Sequence, residues 1–161
     1  MKENQGMAPK LNHVSVVAND LETSRRFYVD ELGLDVLPTP NFGFPVVWLR
    51  AGDSQIHLFE RPGEPPTHAH FGLEIDEFMP VYRRMKELGC LDHVTFGNSL
   101  YELPDGCIQM YVRDPAGNLV ELDYPDASRI PQDEVPEYKR LSDLRPQEGE
   151  AARATLWHAR S

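Results

Sequence analysis

Four side chains of the types that bind divalent metal ions lie in short segments with alternating apolar residues: His13, His57, His70 and Glu121. Alternate side chains of a β-strand point to opposite faces, so the apolar residues of each segment face a core and these four point away from it. Three neutral imidazoles and one carboxylate suit Zn, Ni, Co, Mn or Fe(II). The pattern therefore predicts a site for a divalent transition metal.

Each histidine taken singly has a plainer interpretation, as an ordinary half-exposed strand residue. The joint pattern of four favours the metal site. The remaining histidines fit it less well. His68 is expected at the rim of the site, and His93 and His158 are expected to be solvated.

The elements that position these residues arise from an internal duplication. Residues 11–20 align with residues 68–77, which places His13 over His70. Each segment runs into an amphipathic helix that ends in Leu-Gly, and a glycine after the last apolar residue is a helix-stop signal. A later strand in each half places His57 over Glu121. Repetition in this order predicts two homologous halves.

The boundaries follow from the same alignment. Each half is predicted to be a βαβββ module, over residues 10–61 and 68–124, so that one domain covers residues 10–124. The proline-rich segment 61–67 suits a linker. Residues 125–161 form an extension rich in Pro, Glu, Asp and Arg. Two interpretations stay open for it: an arm with a short helix that docks Leu156 and Trp157, or a partly disordered tail.

The amino-acid composition limits the kinds of partner and location that are expected. The chain has 161 residues with 16 Lys+Arg and 26 Asp+Glu, a net charge of −10 that argues against a nucleic-acid partner. No apolar run is long enough for a membrane span. The first ten residues lack the apolar stretch of a secretory signal. The two cysteines, Cys90 and Cys107, are too few for a disulfide framework, and a cytoplasmic location is expected.

These segments resemble the vicinal oxygen chelate superfamily, also called the glyoxalase/bleomycin resistance/dioxygenase family. The matching motifs are LNHVSVVANDLETSRRFYVDELGL, FGFPVVWL with QIHLF, HFGLEID, and YVRDPAGNLVEL. The resemblance implies an α+β fold in which two tandem βαβββ modules form a curved mixed sheet around a metal-binding cleft. It also implies that the metal is bound by the residues at His13, His57, His70 and Glu121.

The implied activity is that of a lyase or isomerase acting on a small substrate that chelates the metal through vicinal oxygens. Glyoxalase-I-like enzymes usually carry a glutamate where this chain has His57, which puts that particular reaction in doubt. The expected proton-moving residue is Glu121 or His57, with Glu74 as a further candidate. Tyr111 is expected either to hydrogen-bond a substrate oxygen or to pack across strands.

Three alternatives to this activity are weaker matches. Extradiol dioxygenases would hold Fe(II) with His13, His70 and Glu121, and the segment from Tyr111 to Glu121 resembles their signature. That signature also has a histidine several residues before the tyrosine, which this chain lacks. Binding proteins of the bleomycin-resistance kind generally lack the metal ligands that are retained here. A fosfomycin-modifying enzyme is a weaker match, because no Lys/Arg cluster lies on the metal face.

The expected partner is a small-molecule substrate. A homodimer is also expected, since family members often assemble their clefts from two chains, and the extension with Trp157 is a candidate for embracing the second copy. Four aromatic residues are predicted either to line the cavity or to lie in the core: Phe42, Phe44, Trp48 and Phe59. Cys107 is interpreted mainly as a small buried thiol.

Overall fold

The computed structural model describes residues 9–157, which divide into two compact units. The first unit ends at Gly63 and the second begins at Glu64. His158 and most of the N-terminal segment lie outside the described residues. Within residues 9–157, no helix has both the length and the apolar composition needed to cross a membrane.

The first unit is a four-stranded sheet with one helical segment. Its elements are β1 (His13–Ala18), α1 (Leu21–Arg26) continued by a π-helical turn (Phe27–Glu31), β2 (Asp35–Leu37), β3 (Val46–Ala51) and β4 (Ser54–Glu60). The strand order is β1-β4-β3-β2, with β1 parallel to β4 and the other pairs antiparallel. Leu49, Ile56 and Leu58 are fully or almost fully buried, so the apolar alternation of β4 faces the core as predicted.

Local signals set the ends of the first helical segment. Asp20 accepts a hydrogen bond from the Thr23 amide at 2.7 Å, which caps the first turn. The segment stops at Gly33, whose φ of +78° is accessible to glycine at little cost. The helix therefore begins and ends where the sequence predicts.

The second unit repeats this order of elements and adds to it. It contains β5 (His70–Glu74), α2 (Phe78–Glu87), β6 (Leu100–Glu102), β7 (Ile108–Arg113) and β8 (Leu119–Tyr124). Its sheet has the order β5-β8-β7-β6, and β5 lies parallel to β8 as β1 does to β4. The α+β class and the two βαβββ modules are thus confirmed, with the strands in two mixed sheets, one in each unit.

The extension supplies the fifth strand of the second sheet, which the sequence analysis did not predict. Short 3-10 turns at Ala127–Arg129 and Gln132–Glu134 precede β9 (Lys139–Arg140), which pairs in parallel with β6. A short helix, α3 (Leu141–Leu144), and a 3-10 turn at Ala151–Arg153 follow. Three apolar side chains of the extension are buried: Ala127, Ile130 and Val135.

Candidate functional site

The first unit brings two of the four predicted ligands together. His13 on β1 and His57 on β4 stack with their ring centroids 4.4 Å apart, and Trp48 on β3 stacks on the opposite side of His57 at 4.3 Å. The strand register explains this, because His57 is the partner of Trp48 on β3 and of Ser15, two residues from His13, on β1. We call His13 and His57 the first pair.

Hydrogen bonds orient both rings of the first pair. Nδ1 of His13 donates to the Asn12 amide oxygen at 2.6 Å, and Nε2 of His57 donates to the Gln55 amide oxygen at 2.9 Å. Since a neutral imidazole carries one hydrogen, each ring keeps its other nitrogen as a lone-pair donor. Burial, and secondarily the neighbouring His13, lower the pKa of His57 and so favour the neutral form that a metal ligand requires.

Aromatic residues extend the surface beside the first pair. Phe42 lies 6.0 Å from Trp48, between ring centroids, and 6.2 Å from Phe44. Phe42 and Phe44 expose 49% and 42% of their surface, so these two side chains do not lie in the core. Trp48 and Phe59 are half-buried.

The second unit brings the other two predicted ligands together. Nε2 of His70 on β5 lies 3.1 Å from Oε2 of Glu121 on β8, and Glu121 is only 5% exposed. The Nδ1 nitrogen of His70 donates to the backbone carbonyl of His68 at 2.7 Å. We call His70 and Glu121 the second pair, and the sheet face that carries them the site face.

The second pair has the electrostatics of a cation site. Because the His68 carbonyl can only accept, Nδ1 of His70 carries the ring hydrogen and Nε2 of the neutral ring presents a lone pair. In this neutral form two electron-rich atoms meet at 3.1 Å, because the lone pair faces an oxygen of Glu121, whereas a protonated ring donates to that oxygen. A proton or a metal ion between them removes the repulsion, and backbone orientation of a ligating imidazole is typical of metal sites.

Tyr111 and Gln109 hold Glu121 from the next strand. Tyr111 is the register partner of Glu121 across β7 and β8 and is 7% exposed. Its hydroxyl donates to the side-chain oxygen of Gln109 at 3.2 Å, and the amide of Gln109 donates to Oε1 of Glu121 at 2.7 Å. Burial, followed by the charge of Glu121, raises the pKa of Tyr111, so the phenol stays a donor.

A second buried carboxyl group lies beside the second pair. Asp123 is 8% exposed, and its Oδ1 has no hydrogen-bond partner among the described residues. Burial and the neighbouring carboxylates of Glu121 and Glu74 raise the pKa of Asp123 to about 8. Gly72 leaves room for the two carboxylates, because a Cβ at this position would lie 2.7 Å from Oδ2 of Asp123.

The turn before β8 fixes the position of Glu121. Oδ1 of Asp114 accepts from the amides of Ala116 at 3.0 Å and Asn118 at 2.8 Å. Gly117 has a φ of +87°, and a Cβ there would lie 2.9 Å from the Pro65 side chain. The DPAGN segment is therefore the turn that its residues predict.

The described residues thus place the predicted ligands as two pairs. Among residues 9–157, no three His, Cys, Asp or Glu side chains form a group that could hold a metal ion. The histidine predicted to be solvated, His93, is exposed. Cys107 is fully buried and its thiol donates to the Ile108 carbonyl, in agreement with its interpretation as a structural thiol.

Three residues around the second pair were not predicted from the sequence. Gln109 and Asp123 lie two positions from Tyr111 and Glu121, so strand alternation alone places them on the site face. Phe96 packs 5.7 Å from His70 and 4.7 Å from Tyr111, between ring centroids. It lies in a loop, where no periodic signal in the sequence could have indicated it.

Comparison with known proteins identifies a family. Residues 10–122 match the model of the Glyoxalase/Bleomycin resistance protein/Dioxygenase superfamily. Glyoxylase I 4 of Arabidopsis thaliana is 30% identical over 139 residues, which is 76% of this chain and 76% of that protein. Mitochondrial methylmalonyl-CoA epimerase of Bos taurus is 37% identical over 65 residues, which is 38% of this chain and 37% of the epimerase.

A solved structure shares the fold. A protein described as of the glyoxalase family, from Bacillus anthracis, superposes with a TM-score of 0.61 at 24% identity. The superposition covers 76% of this chain and 99% of that chain. The family match ends at residue 122, so the extension lies outside it.

Proposed function

Because the chain belongs to the glyoxalase/bleomycin resistance protein/dioxygenase superfamily, we propose that it is a metal-dependent lyase or isomerase. The substrate in this proposal is a small molecule with two neighbouring oxygens. Two relatives carry the names of a glyoxylase and an epimerase, and this supports chemistry at a carbon next to a carbonyl. The observation that carries the proposal is the second pair, in which a backbone-oriented imidazole faces a buried carboxylate.

The proposed ligands are the two pairs, His13 with His57 and His70 with Glu121. Their donor set is three imidazole nitrogens and one carboxylate oxygen, which suits a divalent transition metal. When bound, such an ion would stabilise negative charge that develops on substrate oxygens. Gln109 leaves Oε2 of Glu121 on the side of His70, because its amide holds Oε1.

The proton-moving group in this proposal is His57 or Glu121. The lowered pKa of His57 favours its neutral form. Because Nε2 donates to Gln55, the lone pair of the neutral ring lies on Nδ1. A neutral imidazole accepts a proton near pH 7, although metal ligation would lower its basicity. Glu121 is the alternative base. Tyr111 would donate a hydrogen bond to a substrate oxygen in exchange for its bond to Gln109.

Metal content tests the ligand set. Wild type is stripped with EDTA, reloaded separately with Zn(II), Ni(II) and Co(II), and analysed by plasma mass spectrometry. We expect one ion per chain or per dimer, and its loss in His70→Ala. His93→Ala removes an exposed histidine outside both pairs and should bind metal as wild type does. Equal metal content in the two variants would contradict the proposal.

Turnover separates the reaction classes. Anaerobic conversion of a hemithioacetal, or exchange of a substrate C–H proton with deuterated solvent, would support the lyase or isomerase. Oxygen uptake with catechols under Fe(II) would instead support the dioxygenase, in which His13, His70 and Glu121 are the ligands. Metal-free binding of an aromatic drug without turnover would support the resistance-type binding protein.

We also propose a homodimer. Family members commonly assemble in pairs, and sedimentation velocity of the full chain measures the mass directly. The extension remains the candidate for embracing a second copy. In the structure, the Trp157 indole donates to Oε2 of Glu74 in its own unit at 2.7 Å.

A further inference from the structure

The second unit contains a pocket of about 390 Å³ beside the site face. Phe96, Tyr101 and Tyr111 line it from the part of the chain that matches the family. Leu141, Leu144 and Arg145 line it from the extension. Its size falls within the range of small-molecule sites. Three of its eight lining residues lie beyond residue 122, so the matched domain alone does not form the whole pocket and the extension completes it.

Strand pairing explains why the extension reaches this face. Lys139 on β9, Tyr101 on β6 and Gln109 on β7 are consecutive register partners, so their side chains share one face of the sheet. The helix α3 begins directly after β9. Pairing of β9 with β6 therefore anchors Leu141 and Leu144 next to the site face.

The pocket presents apolar surface to solvent. Phe96 exposes 39% of its surface and Leu144 exposes 46%, although both are large apolar side chains. Phe96 also packs against Tyr111 with the ring centroids 4.7 Å apart, which forms an aromatic wall. Burial of this surface by an apolar or aromatic group is favourable, because it removes apolar area from water.

The lining of the pocket carries a positive charge. Arg145 is the charged side chain of the lining, and its guanidinium donates to the Leu144 carbonyl at 2.9 Å. Within residues 9–157, no carboxylate forms an ion pair with it. A guanidinium retains further donors in this state and matches the geometry of a carboxylate.

The lining of the pocket also adjoins the second pair. Gln109 and Tyr111 belong to the lining, and Gln109 donates to Glu121 at 2.7 Å. A molecule in the pocket therefore has among its neighbours both Arg145 and the residues that hold Glu121.

We propose that this pocket binds the body of the substrate, and that this body is apolar or aromatic and carries a carboxylate that pairs with Arg145. The assignment deepens the proposed function, since it names the substrate class for the same site. The reacting oxygens then lie toward Tyr111 and Glu121. The extension acts as the specificity element, because it contributes Arg145 and the apolar side chains Leu141 and Leu144.

The experiment measures binding to the full chain without metal, so that it does not depend on the metal site. Calorimetric titrations use phenylbutyrate and its uncharged analogue phenylbutanamide against EDTA-treated protein. We expect phenylbutyrate to bind more tightly than the amide. Arg145→Gln should weaken phenylbutyrate by about tenfold and leave the amide unchanged, because only the acid loses a charge-assisted bond. Arg145→Lys should retain part of the preference.

Two further variants control the result. Arg129→Gln removes an exposed arginine of the same extension outside the pocket and should bind both probes as wild type does. Leu144→Asp should weaken both probes, because it places a carboxylate on the apolar wall. Absence of saturable phenylbutyrate binding, equal affinity of acid and amide, or equal behaviour of Arg145→Gln and Arg129→Gln would overturn the proposal.

The two proposals fail separately. Suppose that phenylbutyrate binding depends on Arg145 but the chain takes up no metal. This result would support the pocket and contradict the metal-dependent function. Metal uptake that depends on His70, without binding of either probe, would support the metal-dependent function and contradict the pocket.

Discussion

At the scale of single residues, the site face is arranged around two adjacent buried carboxyl groups. Glu121 and Asp123 lie on the same face of β8 and are 5% and 8% exposed. Gly72 is the register partner of Glu121 on β5. The absent side chain of Gly72 leaves the space that Asp123 fills, so a glycine inside a strand has a packing reason here.

Gly72→Ala is expected to lower the free energy of unfolding by about 1–3 kcal/mol, because its Cβ would overlap a short, buried side chain. Urea unfolding measures the change. Gly63→Ala is the matched control: nothing lies within 4 Å of a Cβ there, and its φ is not in the left-handed region. Gly63→Ala should be neutral or slightly stabilising. An equal loss in both variants would remove the steric explanation.

The raised pKa of Asp123 gives the protein a pH-dependent stability. With a folded pKa of about 8 and an unfolded pKa of about 4, the folded state binds more protons between these values. The contribution of Asp123 is therefore complete below about pH 4 and is lost as pH rises toward about 8, with a slope of up to about 1.4 kcal/mol per pH unit.

Asp123→Asn should remove this part of the slope. Urea unfolding of the metal-free protein between about pH 5 and 8 measures it. The exposed Asp133 supplies the control, and Asp133→Asn should keep the slope of wild type. A slope for Asp123→Asn that equals that of wild type would contradict the predicted effect.

At the scale of elements, the extension is fastened to α2. Glu137 accepts from the hydroxyl of the buried Tyr82 and pairs with Lys86 at 3.0 Å. Burial alone would raise the pKa of Glu137, but the hydrogen bonds from Tyr82 and Lys86 outweigh it and lower that pKa. A second link, Arg83 to Glu134 at 2.6 Å, lies in solvent, with side chains 64% and 50% exposed.

These two links should differ in energy. Glu137→Ala is expected to cost about 1–3 kcal/mol, because it leaves the buried Tyr82 hydroxyl without its acceptor. Glu134→Ala should cost less than about 1 kcal/mol, as exposed ion pairs do. Chemical denaturation compares the two variants. A larger loss for Glu134→Ala would reverse the assignment of which contact holds the extension.

The sequence predicts some elements better than others, for physical reasons. Apolar alternation indicates β1, β4, β5 and β8, and the Leu-Gly stops indicate the ends of both main helices. The strand β9 has only two residues, Lys139 and Arg140, and both are exposed. The position of β9 depends on the free edge of β6, which no local sequence pattern indicates. The sequence therefore could not predict this strand.

At the scale of the whole molecule, the duplication accounts for most of the fold. Each sheet places its first strand beside its fourth, in parallel, and the third and second strands follow. Aligning His13 with His70 and His57 with Glu121 predicts that the two halves repeat the same elements, and the structure adds the strand order within each sheet. The supporting residues differ between the halves: Trp48 stacks beside His57, whereas Gln109 bonds to Glu121. An internal repeat indicates which positions of the two halves are equivalent, but it does not indicate which side chains contact them.

Deletion of residues 125–161 tests the contribution of the extension to the whole chain. It removes the buried Ala127, Ile130 and Val135, and burial of each larger apolar side chain contributes about 1.5–3 kcal/mol. We expect amide hydrogen exchange to accelerate in β6 and β7 and to stay unchanged in β1 and β4. Deletion of 146–161 alone keeps β9 and α3 and should preserve protection. Unchanged exchange after the longer deletion would contradict this expectation.

The pairing of β9 with β6 also has a consequence for biosynthesis. The strands of the first sheet are complete once residue 60 has left the ribosome, whereas the second sheet lacks an edge strand until residue 140 emerges. During that interval β6 presents unpaired amides and carbonyls, and such edges recruit strands from other chains. A nascent chain stalled before residue 139 should therefore be the species most dependent on chaperones.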